Sequence, residues 1–250
     1  MNNRRNFIKN AAIGAMASLS MPAIVSSAFA RSAPKKIALQ DNDIVLFQGD
    51  SITEWGRDKS KSAPNDFGAL GTGYVLLTSG GLLREYADKK LQVYNKGVSG
   101  NKVFQLSDRW DTDTLAIKPD VLSIMVGVND YWHTITSGYK GTIDTYRTDY
   151  HKLLDRTKQA LPDVKIIIGE PFALKGVKAV DDSWYPAFDA YREAAKKVAE
   201  DFGAAFIPYQ SIMDEALNHA PATYWSVDGV HPSLAGAALM AQAWQETVKG

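Results

Sequence analysis

Beyond Arg31 the chain alternates short apolar runs with longer stretches in which apolar positions recur every three or four residues. Ile44 to Gln48, Leu91 to Tyr94, Val121 to Val126, Lys165 to Gly169 and Ala204 to Ile207 read as strands. Between them, Ile143, Tyr146, Tyr150, Leu153, Thr157 and Leu161 keep helical spacing, as do Phe188, Tyr191, Ala195, Val198 and Phe202, each series opposite a charged face. A last helix is expected from Ser233 to about Thr247, with Leu234, Ala238, Ala241 and Trp244 on one side and Ser233 as its cap. Strands alternating with helices predict an α/β fold, a three-layer α/β/α sandwich around a central parallel sheet of about five strands. The connections Glu54 to Gly73 and Glu170 to Trp184 are too long or too polar for simple turns, and both are expected at the ligand-binding edge of the sheet.

Composition narrows the class without changing the fold. Of 250 residues, 45% are hydrophobic and 22% charged, which is ordinary for a soluble protein with a sizeable core. Lys plus Arg and Asp plus Glu balance at 28 each, so no global field draws the chain to nucleic acid or an anionic membrane. Residues 1–30 have the layout of an export signal: basic Arg4, Arg5 and Lys9, an apolar stretch from Ala11 to Val25, and Ala28-Phe29-Ala30 as an A-x-A cleavage site. Arg4-Arg5-Asn6-Phe7-Ile8-Lys9 resembles a bacterial twin-arginine signal. The expectation is a periplasmic or extracellular protein with no stable membrane insertion once the signal is removed, its residues 31–250 forming one domain. With no cysteine, disulfides, a thiolate nucleophile and cysteine metal sites are excluded.

Candidate chemistry sits at the predicted strand ends. Gly49-Asp50-Ser51-Ile52 follows the first strand, where a serine hydroxyl is well placed as a nucleophile, although Asp50 or Ser51 can equally cap a helix there. Asn95-Lys96-Gly97-Val98-Ser99-Gly100-Asn101 follows the second, a glycine-bearing turn whose N–H groups can face an anion or serve structure alone. After the third, the Asn129 amide of Gly127-Val128-Asn129-Asp130 can donate into the crevice or cap the next helix. Asp228-Gly229-Val230-His231-Pro232 precedes the final helix, and among four histidines only His231 has a carboxylate at i−3 on a short loop. Asp228 can hold one ring nitrogen while the other faces Ser51. His151 and His219 read as surface or core residues, whereas His133, close behind Asn129, can reach substrate.

Taken together these blocks resemble the SGNH hydrolases, or GDSL-type esterases and lipases, whose serine, glycine, asparagine and histidine blocks occur here in family order from Ile44 to Pro232. Ile52 stands where the family name has leucine, and the G-x-S-x-G elbow of α/β-hydrolases is absent at Ser51. The resemblance implies a flavodoxin-like fold and a serine ester hydrolase with Ser51, His231 and Asp228 as its triad. The backbone N–H groups of Ser51 and Gly100 and the Asn129 amide would form the oxyanion hole, with no metal or organic cofactor. The polar run Trp55-Gly56-Arg57-Asp58-Lys59-Ser60-Lys61 favours a small or sugar-borne acyl group over aggregated lipid. Trp55, Trp132, Trp184, Tyr224 and Trp225 are candidates for stacking on sugar rings. The expected substrate is a small-molecule or saccharide ester, foremost an O-acetylated polysaccharide or oligosaccharide. A lysophospholipase or thioesterase acting on longer chains, and a carbohydrate-binding protein without chemistry, are the alternatives.

Overall fold

The computed structural model describes residues 24–27, 29 and 35–250. The rest of the stretch read as an export signal, including its twin-arginine run, lies outside the described residues. Ile24, Val25 and Phe29 are buried with the main core, so cleavage after Ala30 would take those three side chains out of it.

Five parallel strands form the central sheet: β2 (Ile44–Gly49), β3 (Gln92–Asn95), β4 (Val121–Met125), β5 (Lys165–Gly169) and β6 (Ala205–Ile207). Each lies within a residue or two of its sequence-predicted bounds. Their order is β3-β2-β4-β5-β6. The chain therefore starts near the middle, steps outward to β3, then crosses back over β2 to β4, leaving a topological switch point between β2 and β4. All five residues of β4 are buried, as expected for a strand covered on both faces. Adjacent residues of β2 show the two layers. The Phe47 ring lies 5.1 Å from Trp244 and 6.0 Å from Tyr74, whereas the Gln48 amide points the other way and donates to Thr114 Oγ1 at 2.8 Å.

Tyr74 and Trp244 belong to α3 (Tyr74–Glu85) and α10 (Leu234–Gln245), which pack on one another. On the opposite face α6 (Ile143–Ala160) packs between α4 (Val103–Asp108) and α7 (Ala187–Asp201). The aromatic residues Tyr146, Tyr150, Phe188 and Tyr191 of α6 and α7 are core, as their spacing predicts. Ser233 caps α10 by accepting from the Gly236 N–H at 3.2 Å. Short helices also occupy the crevice edge: α1 (Ser51–Glu54), α2 (Phe67–Leu70), α5 (Val128–Thr136), α8 (Tyr209–Ala216) and α9 (Ala222–Trp225). Two residues each of β1 (Ile37–Ala38) and β7 (Val248–Lys249) pair in parallel. None of the described helices is long and apolar enough to cross a membrane.

Trp244 is fully buried, and its indole N–H donates to Ser123 Oγ on β4 at 2.9 Å. Trp244→Ala should therefore cost about 3–5 kcal/mol of stability through the cavity and the lost bond, read as a lower urea midpoint. An unchanged midpoint would show that this contact does not hold α10 on the sheet.

Candidate active site

The register brings the strand ends level. Gly49 of β2 pairs with Met125 of β4, which pairs with Gly169 of β5. The segments leaving these strands therefore open onto the same crevice. Gly49 is extended rather than left-handed, and it serves close approach: a Cβ there would lie 2.4 Å from both the Met125 carbonyl and Thr53 Oγ1. Asp50 is the cap of α1, accepting from the Ile52 N–H at 3.0 Å, which leaves Ser51 as the first helical residue with its hydroxyl free to act.

Ser51 Oγ is 2.7 Å from His231 Nε2, and His231 Nδ1 is 2.7 Å from Asp228 Oδ2. The other Asp228 oxygen accepts from the backbone N–H groups of Val230 and His231 at 2.9 and 2.7 Å. Burial would raise the Asp228 carboxyl, but these bonds from the His231 backbone and side chain outweigh it and hold the group below its ordinary range. The carboxylate is thus kept ionised against the imidazole. The loop that carries it is held from outside: Leu174 N–H donates to Gly229 O at 2.7 Å, and Ala179 N–H to Asp228 O at 3.0 Å. Gly229 has φ +98°, and a Cβ there would fall 2.6 Å from Val180 Cγ2 and 2.8 Å from Leu174 O. The Glu170–Trp184 connection leaves the C-terminal end of β5 and braces this loop.

The other two blocks follow β3 and β4. Gly100 has φ +79°. Among the described residues neither its N–H nor that of Ser51 has an acceptor, so both are available to an anion. Asn129 is not a cap, because Gly127 takes that place on α5. Its amide donates one N–H to Asn101 O at 3.3 Å, leaving the second for the crevice. A serine, a base, a fixed carboxylate and three free donors in one crevice can carry out acyl transfer.

The predicted aromatic contacts divide. Trp55 stands 5.2 Å from the His231 ring and remains 36% exposed, and half-buried Trp132 lies 6.3 Å from the same ring. These two flank the imidazole. Trp184 and Trp225, by contrast, are fully buried, the first among Tyr131, Trp132 and Phe188, the second donating its indole N–H to Ala220 O at 3.1 Å. Neither can stack on a ligand; the apolar packing around them claims both ring faces. Tyr224 is exposed but sits edge-on to Trp225, with no contact to His231. His151 lies near Asp201 at 3.4 Å, at the end of α7, and His219 follows α8. No group of three metal-ligating side chains occurs among the described residues.

Residues that local sequence reading missed hold the turns in place. Arg109 donates to Asn101 Oδ1 at 2.8 Å, Lys96 O at 2.8 Å, Asp113 at 3.0 Å and Gly49 O at 3.4 Å, tying the ends of β2 and β3 together. Arg57 donates to Gly97 O at 3.0 Å, and Glu54 accepts from the Ser99 N–H while pairing with Lys59 at 2.9 Å. The polar run after Ser51 is therefore partly scaffold for the turn that carries Gly100. Only the Asp113 partner of Arg109 stands at a helical spacing, and the reach to Gly49 O spans 60 residues.

The sequence profile of the GDSL-like lipase/acylhydrolase family matches residues 47–239. The chain belongs to this family. As a GDSL-type protein it is a serine carboxylic-ester hydrolase, with the five-stranded α/β architecture of its structural neighbours. An acetylxylan esterase of Geobacillus stearothermophilus is 37% identical over 202 residues, 80% of this chain and 91% of that protein. A structure described as a GDSL-like lipase from Parabacteroides merdae is 52% identical, covering 85% of this chain and 98% of its own, with TM-score 0.84. An acetyl-xylooligosaccharide esterase of the Geobacillus species superposes with TM-score 0.77 at 33% identity, over 86% of this chain and all of its own. Its structures named as catalytic mutants replace a serine, an aspartate and a histidine, the last two three positions apart. Asp228 and His231 of this GDSL-type chain have the same spacing.

One buried carboxyl in the third block sets a pH dependence. Asp130 accepts from the Val103 N–H at 3.2 Å, while its second oxygen has no partner among the described residues. Burial pushes its pKa from 3.8 up to about 7, and burial likewise lifts Asp50 to about 6. A folded-state pKa above the unfolded one gives stability that is full below about pH 4 and lost as pH rises toward 7. Asp130→Asn should flatten the fall in unfolding free energy between pH 4 and 7, measured by urea titration at each pH. An unaltered slope would locate the titration elsewhere.

Proposed function

We propose that the protein is an exported acetyl esterase that removes O-acetyl groups from oligosaccharides or polysaccharides through a Ser51 acyl-enzyme. The observation that carries the chemistry is the pair of 2.7 Å contacts linking Ser51, His231 and Asp228 at the β2/β4 switch point. Ser51 Oγ attacks the ester carbonyl as His231 Nε2 takes its proton, and Asp228 steadies the imidazolium through Nδ1–H. The carbonyl electron pair moves onto oxygen, facing the N–H groups of Ser51 and Gly100 and the Asn129 amide. Collapse expels the sugar oxygen, which takes the proton from His231. Water then repeats the attack on the acyl-enzyme and releases acetate.

Three observations support the saccharide reading: Trp55 and Trp132 beside the imidazole, the acetylxylan esterase relative, and the acetyl-xylooligosaccharide esterase neighbour. Export is supported by the basic, apolar and small-residue order of residues 1–30 and by the polymeric nature of such substrates. Action on longer acyl chains is the second reading, favoured by the 52% identical neighbour described as a lipase.

Acetate release from acetylated xylan, mannan, pectin and chito-oligosaccharides, with Ser51→Ala as blank, separates the two readings when paired with a chain-length series of p-nitrophenyl esters. Activity should fall steeply beyond acetyl or propionyl; a rise toward long chains with no acetate from any glycan would favour lipid. Fluorophosphonate should label the native protein and not Ser51→Ala, and labelling of neither would leave only a binding role. Asn129→Ala should lose about a hundredfold to a thousandfold in kcat while still folding, as read by an unchanged circular-dichroism spectrum. A near-normal kcat would remove Asn129 from the oxyanion site.

A further inference from the structure

Beside Gly100 a second polar pair faces the crevice and takes no part in the proton relay. Lys102 Nζ is 3.0 Å from His133 Nδ1 and 3.5 Å from Gly100 O. The ammonium also sits 5.7 Å over the Phe104 ring and 5.1 Å over Tyr139, which stack on each other at 5.8 Å. Lysine ordinarily titrates about four pH units above histidine, so the ammonium is the donor in this contact and Nδ1 the acceptor. The ring proton is thereby confined to Nε2, which has no partner among the described residues. A Cβ on Gly100 would meet His133 Cε1 at 3.8 Å and nothing else within 4 Å, so the imidazole edge walls the space over this turn.

We infer that His133 is a specificity-determining residue whose Nε2–H donates to an oxygen on the alcohol side of the substrate, with Lys102 as the positioning residue that fixes its tautomer. The inference rests on the acetyl-saccharide reading, since an acetyl group has no oxygen beyond the carbonyl and the acceptor must then belong to the sugar. The ordering is consistent with the chain path. Lys102 caps α4 directly after the Gly100 turn, while His133 lies on α5 one turn beyond Asn129, so their contact joins the two oxyanion loops. Burial, and after it the Lys102 charge, both push the His133 pKa down, which keeps the ring a neutral donor at ordinary pH. Local sequence reading named His133 as a candidate for substrate contact, but its partner and tautomer come from the fold alone.

Two measurements on the whole protein test this. In steady-state kinetics, His133→Phe keeps an aromatic ring and removes the donor. Its kcat/KM should fall at least tenfold more for an acetylated xylo-oligosaccharide than for p-nitrophenyl acetate, chiefly through KM, and His133→Gln should recover part of that loss. An equal fall on both esters would assign His133 to the oxyanion or to the fold and overturn the inference. In imidazole nitrogen NMR, native His133 should show a protonated Nε2 and an unprotonated Nδ1, and Lys102→Met a mixture of tautomers. A native spectrum with protonated Nδ1 would overturn the Lys102 role whatever the substrate. A native enzyme that hydrolyses p-nitrophenyl acetate but no saccharide acetate would instead overturn the substrate reading, and the alcohol-side acceptor with it, while the tautomer result would stand.

Discussion

The close approach of β2 and β4 at their carboxyl ends is the constraint on which the crevice depends. Gly49 and Met125 are paired in register, and the absence of a side chain at Gly49 lets the Met125 carbonyl and Thr53 crowd that point. Ser51 starts its helix two residues after Gly49, and Asn129 lies four residues beyond Met125. A shift of one strand against the other would move Ser51 relative to Asn129. The sheet therefore does more than supply a core, since its register sets distances at the chemistry.

The loops above that sheet are fixed at a cost. Asp50 and Asp130 are buried where solvation cannot help their charged forms, and Arg109 gives up water to bind four acceptors at the end of β2, on the turn after β3 and one helical turn beyond itself. Burying such groups opposes folding, yet each fixes a backbone segment at the crevice through the hydrogen bonds it makes. Asp228 is the favourable counterpart. Its two oxygens accept from one imidazole and two backbone N–H groups, so the same carboxylate both shapes its loop and orients the base.

Around this centre the aromatic residues have unequal duties. Trp184 and Trp225 fill space beneath the crevice loops, whereas Trp55 and Trp132 stand beside His231. The distinction matters for relatives in the GDSL family, because a tryptophan that supports a loop can alter activity without ever meeting a sugar. Lys102 and His133 add a polar edge to the same space on the Gly100 side.

The five main strands, both long amphipathic helices and the capped last helix were legible from periodicity, because each is long enough for burial to impose a repeating pattern. That Ser51, His231 and Asp228 could meet was legible too, because a strand end and an i−3 carboxylate are local features. Helix α3 was missed, since Gly80 and Gly81 interrupt its pattern, and β1 and β7 are too short to have one. Trp184 and Trp225 were misread because an aromatic in a loop looks the same in sequence whether it faces solvent or core. Arg109, the Lys102–His133 contact and the bracing of the Asp228 loop by the Glu170–Trp184 connection were decided by tertiary structure alone. The Lys102–His133 contact and the brace join different connections, and Arg109 joins the β3–β4 connection to the end of β2, which leaves no periodic trace along the chain.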